Sequence, residues 1–415
     1  MPQIVAGDDA TMTLAEALAT ARSQLARTVA VETAPLAAAC NRLLAADLVA
    51  TVDLPPYDSA AVDGFALRLA DLSSADGSPL HVVGLAAAGR PFQGVVGAGQ
   101  AVRILTGAAM PDGADGVVMQ EECRAAGDEV AVPTNIRSAG HCRRRGEDVC
   151  AGSVVLRAGH RLRPQDVALA AALGHGELSV FGQLRVALFS TGDELCEPGT
   201  GRSPGQVWDA NRCLLRELLA GLGCVVDDFG ILPDDRPAIE QALSEAARDH
   251  DLLVTSGGMS VGSEDHVRAV VTRRGTLDIW RLALKPGKPV GLGDIDACPV
   301  LALPGNPIAA LVTFVTLGRT VVLQLAGGLD DPPATFHLPI GRDWAKRPGR
   351  REYLFATVTR QGREGGSVAM PAAKQGAAML SSATEAGGFI ILDEATGHVD
   401  AGQLVEFMPI EPAIA

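Results

Sequence analysis

The chain has 415 residues, more than one ordinary core can organise, and its hydrophobic fraction of 47% predicts two to four well-filled domains. A formal net charge of −14 excludes a general nucleic-acid binder, which needs a basic face to displace phosphate counterions. With two Tyr, three Trp and ten Phe there is little for base stacking, and the cores should be aliphatic.

The opening "MPQIVAGDDATM" lacks a charged segment followed by an apolar core, so no secretion signal is expected and the protein is placed in the cytoplasm. From Thr13, "TLAEALATARSQLA" shows apolar residues at helical spacing behind a Thr-x-x-Glu capping box. A second helix is predicted over "APLAAACNRLLAADL". Between Asp53 and Arg145 the short runs "LHVVGLAA", "AVRILTG", "GVVMQEE" and "EVAVPTN", separated by Gly and Pro, predict a small β-rich domain. A turn, a helix behind Pro164 and a short strand follow. They rejoin the first segment in space, so that 1–52 and 146–182 form one discontinuous N-terminal domain with 53–145 inserted.

From Leu184 the pattern sharpens. Strands "LRVALFS", "CVVDDFGIL" and "DLLVTSGG" alternate with helices "NRCLLRELLAGLG", "RPAIEQALSEAARDH" and "EDHVRAVVTRRG". This alternation implies parallel strands with helices on both faces, an α/β domain over 183–330. Further strands "WRLALKP", "PVGLG" and "CPVLALPG" precede the apolar stretch Ile308 to Gly327. Gly318 and Arg319 interrupt that stretch, which reads as a helix buried against the sheet rather than a membrane span. The tail, 331–415, is again short strands and predicts a C-terminal β-barrel. Eight cysteines without a CxxC pair read as reduced thiols.

In an open parallel sheet, ligands bind beyond the carboxyl ends of the strands. The loops that follow the strands are "TGDEL" (Thr191 to Leu195), "LPDD" (Leu232 to Asp235), "SGGMSVGSEDH" (Ser256 to His266), "KPGKP" (Lys285 to Pro289) and "LPGNP" (Leu303 to Pro307). Glu194, Asp234 and Asp265 offer hard oxygen donors for Mg²⁺. Ser256, Gly257 and Gly258 permit close backbone approach of a phosphate, and Lys285 and Lys288 balance its charge. Singly, these are an ordinary turn, helix-capping acids and solvated lysines; five loops at one sheet edge favour a nucleotide or pyrophosphate site. Outside this unit, Asp58 and Asp63 flank a small-residue turn. The runs "RRRGEDV" (Arg143 to Val149) and "KRPGRREY" (Lys346 to Tyr353) are solvated faces or oxyanion binders.

Together, "DSAAVDGFA", "RILTGAAMPDGADGVVMQEE", "RRRGEDV", "ALFSTGDEL", "VTSGGMSVGSEDH", "LALKPGKP" and "LPGNP" resemble, in order, the MoeA-type molybdopterin molybdenumtransferases, related to the E domain of gephyrin. The resemblance implies a multidomain α/β plus β fold: a three-layer α/β/α domain like MogA, a β-rich insert, an elongated discontinuous N-terminal domain and the C-terminal barrel. It implies insertion of molybdate into adenylated molybdopterin with release of AMP and a divalent cation such as Mg²⁺. The partners it implies are a second copy in a homodimer with shared active sites, a MogA-type protein, and molybdoenzymes that receive the product.

By motif, Asp63, Asp148, Glu194, Asp265 and Lys285 then take catalytic positions. Asp234, Asp265 and Glu194 take metal positions, and Thr106, Ser256, Gly257, Gly258, Lys285, Lys288, Pro304, Gly305, Asn306 and Arg350 bind substrate. Asp63, Thr106 and Asp148 come from the facing subunit. The chain departs from the pattern at Ser59, Val62, Arg281, Ala309 and Ala377. If the hydroxyls missing at Ala309 and Ala377 touch molybdate, the oxyanion is held more weakly or tungstate is handled instead. Two other functions share the fold: a scaffold that binds molybdopterin without turnover, and MogA-like adenylyl transfer.

Overall fold

The computed structural model describes residues 11–74, 78–132, 140–258, 266–287, 289–329, 332–360 and 365–411. The alternating region folds into a seven-stranded sheet. Its order is Thr11–Met12, Gly275–Leu282, Pro289–Ile295, Cys298–Leu303, Leu252–Ser256, Arg185–Thr191, Val225–Leu232. The last four run parallel, as the helical crossovers require. The sheet is nevertheless mixed, because Pro289–Ile295 lies antiparallel to both neighbours. The short connections around it, too short for a crossover helix, force the reversal.

Side chains alternate across the sheet. Val186 and Leu188 face a core shared with the helix Ala210–Gly221 and the apolar helical run Pro307–Ala326, while Ala187 and Phe189 face the helices Arg236–Asp249 and His266–Arg274. The run Pro307–Ala326 is long and apolar enough to cross a membrane, but 83% of its most apolar window is buried inside the protein. A π-helical turn, Phe314–Gly318, joins its two α-helical halves.

The first helix, Leu14–Gln24, carries the predicted capping box of Thr13 and Glu16. It packs through Leu14, Ala17 and Ala21 into the α/β core, and Thr11–Met12 extends that sheet at its edge. The discontinuous unit is held instead by later residues, with Val31–Pro35 paired to Glu177–Phe181 and Leu48–Val49 to Val154–Leu156. The second predicted helix is absent. Only a 3₁₀ turn, Leu36–Ala38, forms, and Asn41 enters the left-handed region at φ 67°. Beyond it the chain bridges to Arg161 and Val180, which lets Leu44 and Leu48 reach the core around Leu162 and Leu178.

The insert is a six-stranded sheet in the order Gly116–Met119, Gly64–Leu67, Gln100–Ile104, Leu80–Ala86, Glu129–Ala131, Arg124–Ala126. Its second strand passes so close to its neighbour that a Cβ on Gly64 would lie 2.0 Å from the Val118 carbonyl oxygen. In the C-terminal unit the strand Arg351–Arg360 pairs with Ser367–Pro371 on one side and Gly388–Leu392 on the other, and Leu404–Pro409 and Phe336–Pro339 follow. A bridge from Ile340 to Ala369 closes the ring into a barrel around Leu354, Ile390 and Phe407. The short strand Leu284–Lys285 adds to this barrel in parallel at Arg351 and Glu352, so one stretch of chain joins sheet and barrel.

Candidate functional site

The carboxyl edge of the parallel strands carries the predicted loops side by side. The Asp193 N–H donates to Asp234 at 3.2 Å and the Asp234 N–H donates back to Asp193 at 3.3 Å, which locks the first two loops together. Glu194 folds over Gly192, where a Cβ would meet its carboxylate at 2.5 Å. Gly257 and Gly258 take φ of 92° and 68°, a region that side-chain-bearing residues rarely enter. Ser256 and Gly257 do not themselves present donors to a ligand. The Gly257 N–H is spent on the Leu303 carbonyl at 3.1 Å, and the Ser256 hydroxyl, almost fully buried, accepts from Asn211 at 2.7 Å. Their contribution is to shape the turn. Asp265 and Lys288 lie outside the described residues.

Asn211, which no motif in the sequence singled out, fastens this edge. Its amide also donates to the Gly305 carbonyl at 2.7 Å, so one buried side chain ties the Ser-Gly-Gly turn to the Pro-Gly-Asn-Pro loop. The helix behind "WDANR" begins with Asp209 accepting from the Arg212 N–H, which aims the next turn, and Asn211 with it, at the sheet edge. An asparagine one residue into a helix was the available signal.

Beside this edge lies a cavity of about 520 Å³ between the α/β body and the barrel. Lys285, Pro304, Gly305, Asn306 and Arg350 all line it, so the structure brings these predicted residues together. Ala309 and Ala377, both noted for lacking a hydroxyl, line it as well, and the Ile308 N–H donates to the Ala377 carbonyl at 3.0 Å. Lysine and guanidinium donors in a half-enclosed space suit a small oxyanion. Within the run "KRPGRREY", Lys346 donates to the Arg350 carbonyl at 2.8 Å and Arg351 pairs with Asp393 at 2.7 Å. Only Arg350 of its basic residues lines the cavity.

A second group forms in the insert. Asp63 accepts from the Thr106 N–H and from its hydroxyl, each at 2.7 Å. These two bonds, with the charge of Arg103, hold the Asp63 carboxyl below its usual range and keep it ionised. The loop that carries Asp148 is stitched alongside. The Arg145 N–H and the Arg144 guanidinium both bind Asp58, at 2.8 and 2.7 Å, and the Arg145 guanidinium binds Asp53. Two of the three arginines in "RRRGEDV" are thereby committed to building the loop. Asp148 itself is exposed, with its N–H donating to the Leu54 carbonyl at 3.0 Å.

Donor chemistry at the sheet edge is carboxylate oxygen, which suits a hard cation. Among the described residues no three His, Cys, Asp or Glu side chains converge. A cation here fits only as Mg²⁺ usually binds, through one or two carboxylates with substrate phosphate and water completing its shell. All eight cysteines are free, and burial pushes Cys224 and Cys298 up to about 12, so neither supplies a thiolate.

Fold and site define a multidomain α/β plus β protein with a cleft, lined by Lys285 and Arg350, between its sheet edge and a barrel. Family models match along the chain: the MoeA N-terminal region (domain I and II) over residues 12–174, a probable molybdopterin binding domain over 187–324, and the MoeA C-terminal region (domain IV) over 337–410. A molybdopterin molybdenumtransferase of Haemophilus influenzae is 37% identical over 96% of this chain and 98% of its own length. One from Nostoc is 35% identical over 79% of this chain and 77% of its own. The solved structure of a molybdopterin biosynthesis MoeA protein from Pyrococcus horikoshii, 27% identical, superposes with a TM-score of 0.81 over 96% of this chain and all of that one. The chain belongs to the MoeA family. It is a transferase of molybdenum cofactor biosynthesis.

Proposed function

We propose that the protein inserts molybdate into adenylated molybdopterin with release of AMP. The observation that carries this reading is the cavity where Lys285 and Arg350 face a space large enough for an oxyanion and part of a larger ligand, directly beside the loops at the sheet edge. Lys285 and Arg350 orient the molybdate between the Pro304–Gly305 loop and the barrel. The pyrophosphate of the adenylated pterin lies along the loops that follow the parallel strands, over the turn shaped by Ser256, Gly257 and Gly258. Asn211 keeps that turn and the Pro-Gly-Asn-Pro loop at a fixed separation, so oxyanion and pyrophosphate are held in register.

One or two of Asp234, Glu194 and Asp265 would hold Mg²⁺ there, and the bound ion would offset charge developing on the phosphoryl oxygens as the anhydride bond to AMP breaks. Lys285 and Lys288 add to that offset. Asp63, Thr106 and Asp148 belong to the pterin end of a site completed by the second subunit of a homodimer. Ionised Asp63, held by two bonds from Thr106, is suited to accept from the pterin's ring N–H groups.

The test is AMP release from adenylated molybdopterin by the purified protein with Mg²⁺, with and without molybdate. Release that depends on molybdate supports the insertion reaction. Tight binding with no release under either condition supports a scaffold instead, and adenylation of free molybdopterin from ATP supports the MogA-like step.

A further inference from the structure

Glu352 is 3% exposed, and it is the one carboxylate among the described residues that line the cavity. A buried carboxylate is costly unless it is paired, so its presence beside an anion site calls for a reason. Its partner is Lys285, whose Nζ lies 2.6 Å from Oε1 while about half of the lysine side chain remains exposed. Backbone register sets the pair, because Leu284–Lys285 joins the barrel in parallel with Lys285 opposite Glu352. Alternation along the barrel strand sends Tyr353 and Phe355 into the α/β core and Leu354 and Ala356 into the barrel interior. Glu352 shares the barrel-side face and sits at the cavity's edge. Burial pushes the Tyr353 phenol up to about 12, so that neighbour stays neutral.

We propose that Glu352 is a positioning residue for the oxyanion step: it holds the Lys285 ammonium against the cavity wall and lowers the cavity's positive charge, so that a dianion binds loosely enough to be passed on. This rests on the reading of the cavity as the molybdate site. A plain staple between sheet and barrel would use the same contact, but the two roles differ in what loss of the charge does. With the carboxylate neutralised, the cavity gains one unit of net positive charge and grips a dianion more tightly. At the same time the ammonium loses its fixed place, and misplacement of such a group slows turnover.

Molybdate-dependent AMP release by the full-length protein separates these effects. In Glu352→Gln we expect KM for molybdate to fall on the order of tenfold and kcat to fall by at least about tenfold. Glu352→Asp keeps the charge but withdraws it by one methylene, so kcat falls while KM stays at the wild-type value. A wild-type kcat in both variants, or a raised KM in Glu352→Gln, would overturn the assignment. Should Glu352→Gln not fold, Glu352→Asp decides alone: lower kcat at unchanged KM and unchanged Tm supports positioning, and unchanged kcat overturns it. A wild-type protein with no molybdate-dependent release would remove the reading of the cavity itself; active wild type with unaltered variants removes only the role of Glu352.

Discussion

If the cavity receives an oxyanion as proposed, single atoms of its wall set how firmly it is held. Ala309 is 3% exposed and, with Ala377, presents a methyl where a hydroxyl would add a donor. One added hydrogen bond is worth about 1 kcal/mol, so Ala309→Ser or Ala377→Ser should tighten molybdate binding roughly fivefold. Equilibrium binding of molybdate by calorimetry reads this directly, and no gain in either variant would show that the oxyanion sits away from both positions. The residues that line this wall were partly legible in the sequence. Lys285, Asn306 and Arg350 stand in recognisable motifs, whereas Glu352 and Asn211 are ordinary polar residues until their partners are known. Glu352 acquires its character from burial beside Lys285, and Asn211 from the two loops it spans.

Among the elements, the helix Pro164–Ala172 shows how a cap couples folding to pH. Burial alone would raise the Asp166 carboxyl, but the Arg163 guanidinium, the His160 ring and the Arg163 N–H outweigh it and hold Asp166 well below the usual carboxylate range. Because the folded value lies below the unfolded one of about 3.9, its contribution is fully present above that pH. It is lost as pH falls through the folded value. The Tm advantage of wild type over Asp166→Asn should therefore be constant near neutrality and shrink below about pH 4; thermal melts across that range check it, and a constant difference down to pH 2 would rule it out. At this scale the sequence is legible where a local rule applies, as with the Thr13 cap, Pro164 at a helix start and the Gly-bounded strands of the insert. Over "APLAAACNRLLAADL" helical spacing yields to tertiary pairing at Leu43 and Leu44. The antiparallel strand Pro289–Ile295 was hidden for a similar reason, since its direction depends on connection length and not on its own residues.

For the molecule as a whole, the two groups of candidate site residues lie in separate units, Asp63, Thr106 and Asp148 around the insert and Lys285, Asn306 and Arg350 where sheet meets barrel. If each active site draws on both subunits of a symmetric dimer, Asp63→Ala and Lys285→Ala homodimers are each inactive. After subunit exchange, mixtures should recover about a quarter of wild-type activity, because half the dimers are mixed and each mixed dimer keeps one intact site. No recovery on mixing, with exchange verified by mass, would place both groups in one subunit's site. The class of fold and the sheet edge that carries the candidate loops follow from local residues, because strand and helix periodicity are local and a parallel sheet puts every following loop at the same end. That Lys285 meets Glu352, that Asn211 joins two loops and that the first helix serves the α/β core emerge with the folded chain alone. Such contacts depend on the register and packing of segments far apart in the chain, which no local pattern of residues encodes.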